Sequence, residues 1–377
     1  MVSIAFTGGG SGGHLYPGLA IVSRLKNLLP CRIFWIGSNA GMDRAVIENA
    51  GIEFYGVPSG KLRRHFSLRN VSDAFRVGAG FLSARKILKR ERPVLLFSKG
   101  GFVSVPPCAA AASLKIPVFT HESDYSPGLA TRINTRFAER IFIPYRETAA
   151  FFSEKNRGKI MVSGNPIRTE FDGADPEKGR AFLGLNGSER VLLVLGGSQG
   201  SREINELIRP ALPELTKFYT VVHQTGESHL ESVSEGVSEF VNAGKYKPFA
   251  YFKDEIPHVI ATAELILCRC GANTLFECKY LNKPMVLIPF RGSGTRGDQV
   301  ENARIFQEAG AAIIFSNDSS PSSPEALSHL IASLASDPEK RNAMGEAKIT
   351  EQSAAKMIAN EILNKVLEKN DGSASSN

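Results

Sequence analysis

The stretch GGGSGGHLYPG, residues 8–18, follows the apolar run VSIAFT and precedes a helix-period segment, PGLAIVSRLKNLL. Glycine-rich turns between a strand and a helix leave backbone amides bare, and at a helix N-terminus those amides attract phosphate or another anion. The histidine that closes the turn, His14, is not needed for such a turn. An imidazole at the positive end of a helix dipole is held neutral and can take a proton, so His14 is a candidate base beside a phosphate site. A capping or packing role for His14 is the alternative.

Working outward, apolar strands alternate with helix-period segments: RIFWIGS, VLLFSKGG and IPVFTHE in the first half, RVLLVLGGSQGSREINELIRPALPEL, YTVVHQTG, AELILCRCGANTLFECKYL and PMVLIPF in the second. This order implies βαβ units, parallel sheets and an α/β class with two similar halves. At 377 residues two domains are expected. The Gly, Pro and Asp content of VSGNPIRTEFDGADPEKG places the join there: residues 1–164 as the first domain, 165–365 as the second, and 366–377 as a polar tail without fixed structure. Two such domains facing each other would put both glycine turns on one cleft.

Hydrophobic residues make up 42% and charged residues 22%, which is globular rather than disordered. The net charge of +7 favours an anionic partner: nucleic acid, anionic lipid or a phosphorylated metabolite. No apolar run is long enough to span a membrane, and no export signal is evident. Cys31, Cys108, Cys268, Cys270 and Cys278 are scattered and odd in number, reading as free thiols in a reducing compartment; CRCGANTLFEC lacks paired metal-ligand spacing.

Gly8, Gly10 and Gly13 satisfy the spacing of a dinucleotide fingerprint, but RIFWIGSNAG ends without the acid that would hold a ribose, which argues against NAD. SKGGFVS (98–104) and GGSQGS (196–201) are further glycine turns at strand ends, and three together favour anion binding over tight turns alone. Glu277 could hold a ribose, or could close a capping box with Thr274. Asp298 and Gln299, supported by Asn302, could grip sugar hydroxyls, or cap a helix. Glu122 and Asp124 lie at a strand end, where they could act as acids or bases or simply mark a helix entry. From Lys61 to Arg92 ten basic residues interleave with apolar ones, a pattern suited either to an anionic bilayer surface or to an ordinary solvated helix pair.

The series GGGSGGHLYPGLAI, KGGFVSVP, HES, GNPIR, GGSQG, GANTLFE and DQVENA resembles the MurG-type N-acetylglucosaminyltransferases of bacterial cell-wall synthesis, in order and across nearly the whole chain. The resemblance implies a GT-B fold of two Rossmann-like domains. It implies inverting transfer of N-acetylglucosamine from UDP-N-acetylglucosamine to an undecaprenyl-diphosphate-linked N-acetylmuramoyl-pentapeptide, lipid I, giving lipid II. It also implies catalytic roles for His14 or Glu122. Gly9, Gly10, Ser11, Gly12, Gly13, Gly100, Gly101 and Ser104 would meet the acceptor diphosphate. Arg168, Ser198 and Gln199 would meet the donor diphosphate, Phe252 and Lys253 the uracil through their backbone, Glu277 the ribose, and Asp298 with Gln299 the sugar. Peripheral attachment to the cytoplasmic face of the cell membrane, no cofactor or metal, no nucleic acid, and contact with other cell-wall synthesis proteins complete the expectation. Family members often have amides where this chain has Ser123-Asp124, and some have paired glutamines where it has Asp298-Gln299. A nucleotide-sugar epimerase on the same fold and a non-catalytic membrane-docked binding protein are the competing readings.

Overall fold

A computed structural model describes residues 2–60, 68–197, 199–292, 296–315, 323–349 and 353–374. The chain divides into two compact units, 1–168 with 352–377, and 169–351. In the first unit seven strands form one sheet in the order β3-β2-β1-β4-β5-β6-β7: β1 Val2–Thr7, β2 Cys31–Ser38, β3 Glu53–Val57, β4 Leu95–Ser98, β5 Val118–His121, β6 Arg140–Ile143 and β7 Ile160–Val162. The second unit has six, in the order β10-β9-β8-β11-β12-β13: β8 Val191–Leu195, β9 Thr220–Gln224, β10 Tyr246–Phe249, β11 Leu265–Cys268, β12 Met285–Leu287 and β13 Ala312–Ile314. Every pairing is parallel, so both sheets are doubly wound, as the alternation of strand and helix patterns implied.

Covering both faces with helices explains why the central strands are largely apolar and buried. β4 and β8 are buried at every residue. In each sheet the winding reverses at the central strand, so the loops after β1 and β4, and those after β8 and β11, flank a switch point at the C-terminal edge. The three glycine turns occupy three of those four loops, and Gly271 lies in the fourth.

The expected domain limits need two corrections. The first unit runs through Arg168 rather than ending at 164, and it recovers the C-terminus of the chain. The helix Ala354–Ala374 packs on the first sheet, where Ala355, Ile358, Ala359, Ile362 and Val366 join a core with Ile4, Phe6, Leu25 and Trp35. Burying Ile358, Ile362 and Val366 is worth roughly 1.5–3 kcal/mol each, an upper bound that is ample to hold the helix there. An ion pair from Lys365 to Glu139 (2.6 Å) closes its outer side. The structureless tail expected from 366 is instead helical as far as Ala374. All five cysteines are free.

Candidate active site

In the first unit the turn after β1 leads directly into the helix Gly12–Leu28, whose first turn carries no acidic side chain to neutralise its amides. Two buried anchors shape the turn. The Trp35 indole N–H donates to the Gly8 carbonyl (2.9 Å), and Asp43, fully buried, accepts from the Gly10 N–H (2.9 Å) and the Ser38 N–H (3.2 Å). An acid does therefore follow β2, five residues past the strand's end, but it is spent on the protein's own loop rather than on a ribose. Signalling this from sequence would have required knowing that the 38–43 loop folds back.

The turn after β4 closes against the first. Gly101 has φ of 77°, and a Cβ there would stand 2.6 Å from the Gly9 carbonyl oxygen and 2.9 Å from the His14 ring, so only glycine lets the two loops meet around the imidazole. The structure thus brings together His14, Gly9, Gly10, Gly100 and Gly101, with half-buried Gly12 and Gly13 and exposed Ser11 at the helix start. Ser104 departs from its expected role. It is fully buried, its hydroxyl donates to the Gly101 carbonyl (2.8 Å) and accepts from Asn134 (2.8 Å), and it shapes the turn rather than facing a ligand.

Glu122 is also otherwise engaged. Its carboxylate accepts from the backbone N–H groups of Ser123 (2.8 Å), Asp124 (3.1 Å) and Gly128 (3.0 Å), organising the 122–128 turn. Next to it, buried His121 donates from Nε2 to the Gly164 carbonyl (3.0 Å); burial, and then the charge of Lys99, hold its pKa well below the usual histidine range. Lys99 itself, 1% exposed, is pushed down to about 8 by burial, against the opposing pull of Glu122 and Asp124. Lys99 and Asp43 are site residues that the motif reading passed over. Arg168, expected on the donor side, belongs to the first unit and lies over the Tyr16 ring (5.5 Å).

The second unit repeats the plan with different chemistry. After β8, Gly197 and Gly200 adopt φ of 95° and 77°, and Ser201 caps the helix Arg202–Leu215 by accepting from the Ile204 N–H (3.4 Å). A Cβ on Gly200 would collide with the Thr225 carbonyl, so glycine is obligatory where the two loops touch. Gln224 ties the turn to the 250s loop: its Nε2 donates to the Gly197 carbonyl (2.8 Å), and its Oε1 accepts from the Phe252 N–H (3.2 Å). Arg269, after β11, donates to Ser201 Oγ (3.1 Å), Glu203 (2.6 Å) and the Ile288 carbonyl (3.1 Å). Together these loops border a cavity of about 800 Å³, lined by Gly196, Gly197, Gly200, Arg269, Thr274 and Gln299 among others, a size suited to a nucleotide sugar.

The remaining donor-side expectations are met unevenly. Gln299 lines the cavity, but its Oε1 accepts from the N–H groups of Cys270 (3.3 Å) and Phe290 (3.0 Å). Asp298 opens the helix Asp298–Glu308 and pairs with Arg296 (2.7 Å); Asn302 is buried, donating to the Cys270 carbonyl (3.1 Å). The N–H groups of Phe252 and Lys253 are engaged by Gln224 and Glu255. The capping box at Glu277 is ruled out: its helix starts at Ala272 behind Gly271, leaving half-buried Glu277 a turn further in. Ser198 lies outside the described residues.

Residues 4–143 match the N-terminal domain, and residues 191–362 the C-terminal domain, of glycosyltransferase family 28. The chain belongs to this family, in its MurG-type branch. It is 47% identical over 329 residues to the Treponema denticola UDP-N-acetylglucosamine--N-acetylmuramyl-(pentapeptide) pyrophosphoryl-undecaprenol N-acetylglucosamine transferase, covering 83% of this chain and 84% of that one. The crystal structure of Acinetobacter baumannii MurG superposes with a TM-score of 0.73 at 22% identity, over 97% of this chain and 100% of that one. UDP-GlcNAc 2-epimerase from Neisseria meningitidis, bound to UDP-GlcNAc, has nearly the same fold likeness: TM-score 0.70 at 13% identity, over 98% and 100% of the chains. The GT-B fold is thus common to the transferase and epimerase readings, and sequence identity separates them.

Proposed function

We propose that this protein transfers N-acetylglucosamine from UDP-N-acetylglucosamine to the 4-hydroxyl of undecaprenyl-diphosphate-linked N-acetylmuramoyl-pentapeptide, converting lipid I to lipid II with inversion at the anomeric carbon. The observation that carries this is the 47% identity, over 329 residues, to a protein bearing that activity in its name. His14, in contact with the Gly100–Gly101 turn, is the candidate that takes the proton of the acceptor hydroxyl as its oxygen attacks the sugar's anomeric carbon. Glu122, with three backbone donors on its carboxylate, is the weaker candidate. The UDP leaving group departs as an anion, and the N-terminus of the helix Arg202–Leu215, behind Gly200 and Ser201, suits its stabilisation. The helix start at Gly12, with no acidic side chain in its first turn, suits the acceptor's diphosphate in the same way.

A polyprenyl acceptor stays in the bilayer, so the reading extends to peripheral docking at the cytoplasmic face. The helix Leu68–Glu91 buries Gly80, Ala84 and Leu88 and exposes Phe75 (77%) and Leu82 (67%), two turns apart, beside Arg76, Arg85, Lys86 and Lys89. Exposed apolar side chains beside basic ones suit an anionic surface. The stretch 61–67 of the same basic run lies outside the described residues, and among those described no helix is long and apolar enough to cross a membrane. Replacing Phe75 and Leu82 by Ser should lower co-sedimentation with phosphatidylglycerol vesicles; unchanged sedimentation would remove this helix from docking.

The test of the activity is incubation with labelled UDP-N-acetylglucosamine, with and without lipid I. Label in the lipid fraction only when lipid I is present is expected. Turnover of donor alone to an epimer would establish the epimerase instead, and binding without turnover a non-catalytic protein.

A further inference from the structure

Lys99 poses a physical problem that the proposed reaction does not absorb. Its ammonium is buried, and among the described residues no carboxylate stands within ion-pair distance of it. It donates to Ser123 Oγ (2.5 Å). A buried cation without a contacting counter-charge is costly, and a fold keeps one where an anion arrives to complete it. The charges that reach it are those of Glu122 and Asp124, just past β5; its own charge helps to hold down the neighbouring His121, on which His14 also bears.

Ser123 carries the consequence. Its backbone is fixed at both ends, the N–H by Glu122 (2.8 Å) and the carbonyl by Asn165 Nδ2 (3.1 Å), and its side is half-buried. An ammonium has only donors, so Ser123 Oγ accepts from Lys99 and cannot return its own hydrogen there. That hydroxyl hydrogen is directed away from Lys99, and a charge-assisted bond to the oxygen makes it a stronger donor.

We infer that Lys99 and Ser123 form one charge-backed donor that binds an anionic oxygen of the acceptor's diphosphate, with Ser123 in contact and Lys99 a positioning residue behind it. The inference rests on the acceptor-side reading above and adds a donor to the glycine amides. The negative ligand adds to the more distant charges of Glu122 and Asp124, so acceptor affinity should fall as the ammonium loses its proton.

Steady-state kinetics of the full chain with lipid I and UDP-N-acetylglucosamine test this, comparing wild type with Lys99→Met and Ser123→Ala. Each variant should raise the acceptor KM about tenfold, leave the donor KM within twofold and change kcat less than twofold. The double variant should be no worse than the poorer single one. The wild-type kcat/KM for acceptor should decline above about pH 8, and Lys99→Met should remove that decline. An acceptor KM within twofold of wild type in Ser123→Ala overturns the inference, as does an equal rise in both KM values. If Lys99→Met fails to fold, Ser123→Ala alone decides. A wild-type protein inert towards lipid I would sink the proposed function instead.

Discussion

The two glycine turns at residues 8–14 and 196–201 occupy equivalent places, each after the first strand of a doubly wound sheet and each opening a long helix. What surrounds them differs. The first is crowded by titratable groups: His14 within the turn, with Asp43, Lys99, His121 and Glu122 behind it. The second is lined chiefly by guanidinium and amide groups, Arg269, Gln224 and Gln299, and the Glu203 carboxylate there is paired with Arg269 (2.6 Å). The second unit does bury a histidine, but His223 sits inside β9 bonded to the Tyr246 hydroxyl (2.9 Å), and burial pushes it down to about 3. One scaffold is thus furnished twice, once with an imidazole among buried charged groups and once with guanidinium and amide groups around a cavity of about 800 Å³.

The sharpest way to break this comparison is Gly200→Ala. The positive φ and the collision with the Thr225 carbonyl together should cost roughly 3 kcal/mol or more of stability. Calorimetry should show a lowered melting transition and titration should show lost UDP binding; a Tm equal to wild type would mean that the loop contact is dispensable. A smaller effect is expected from Asp43→Ala, which strands two N–H groups of the first turn. About 1–3 kcal/mol should be lost, and because the disturbed loop lies in the first unit, the acceptor KM should rise while UDP affinity holds. Equal damage to UDP affinity would show that Asp43 does not act locally. Glu277→Ala sharpens the donor side. With the capping box gone, a role on the ribose leaves about a tenfold rise in donor KM as its signature, whereas a drop in Tm alone would make Glu277 structural.

Much of this was legible in the residues, for stated reasons. Strands such as VLLVL are buried on both faces and so are apolar without interruption, and glycine turns at their ends mark the sheet edge where ligands go. The family resemblance set Gly9 to Gly13 and Gly100 with Gly101 on one acceptor diphosphate, whereas the closing of the two turns around His14 is a finding of the structure. What stayed hidden depends on contacts distant in sequence. An amphipathic helix shows which face is apolar but not which core receives it, so the return of Ala354–Ala374 to the first unit could not be read. Thr274 and Glu277 have capping-box spacing, yet the helix begins earlier because Gly271 and Ala272 accept its first turn. Ser104 follows a glycine turn like any phosphate-binding serine, and only Asn134, thirty residues on, shows that its hydroxyl is occupied. Lys99 looks like a surface lysine until the sheet closes over it.

The central claim is that an imidazole at residue 14 draws the proton from the acceptor alcohol while UDP leaves from the other unit. Transfer of labelled N-acetylglucosamine to lipid I by His14→Ala, at saturating donor and matched Tm, tests it most directly. The account predicts a loss of about a hundredfold or more with UDP affinity intact. Transfer at the wild-type rate would contradict it.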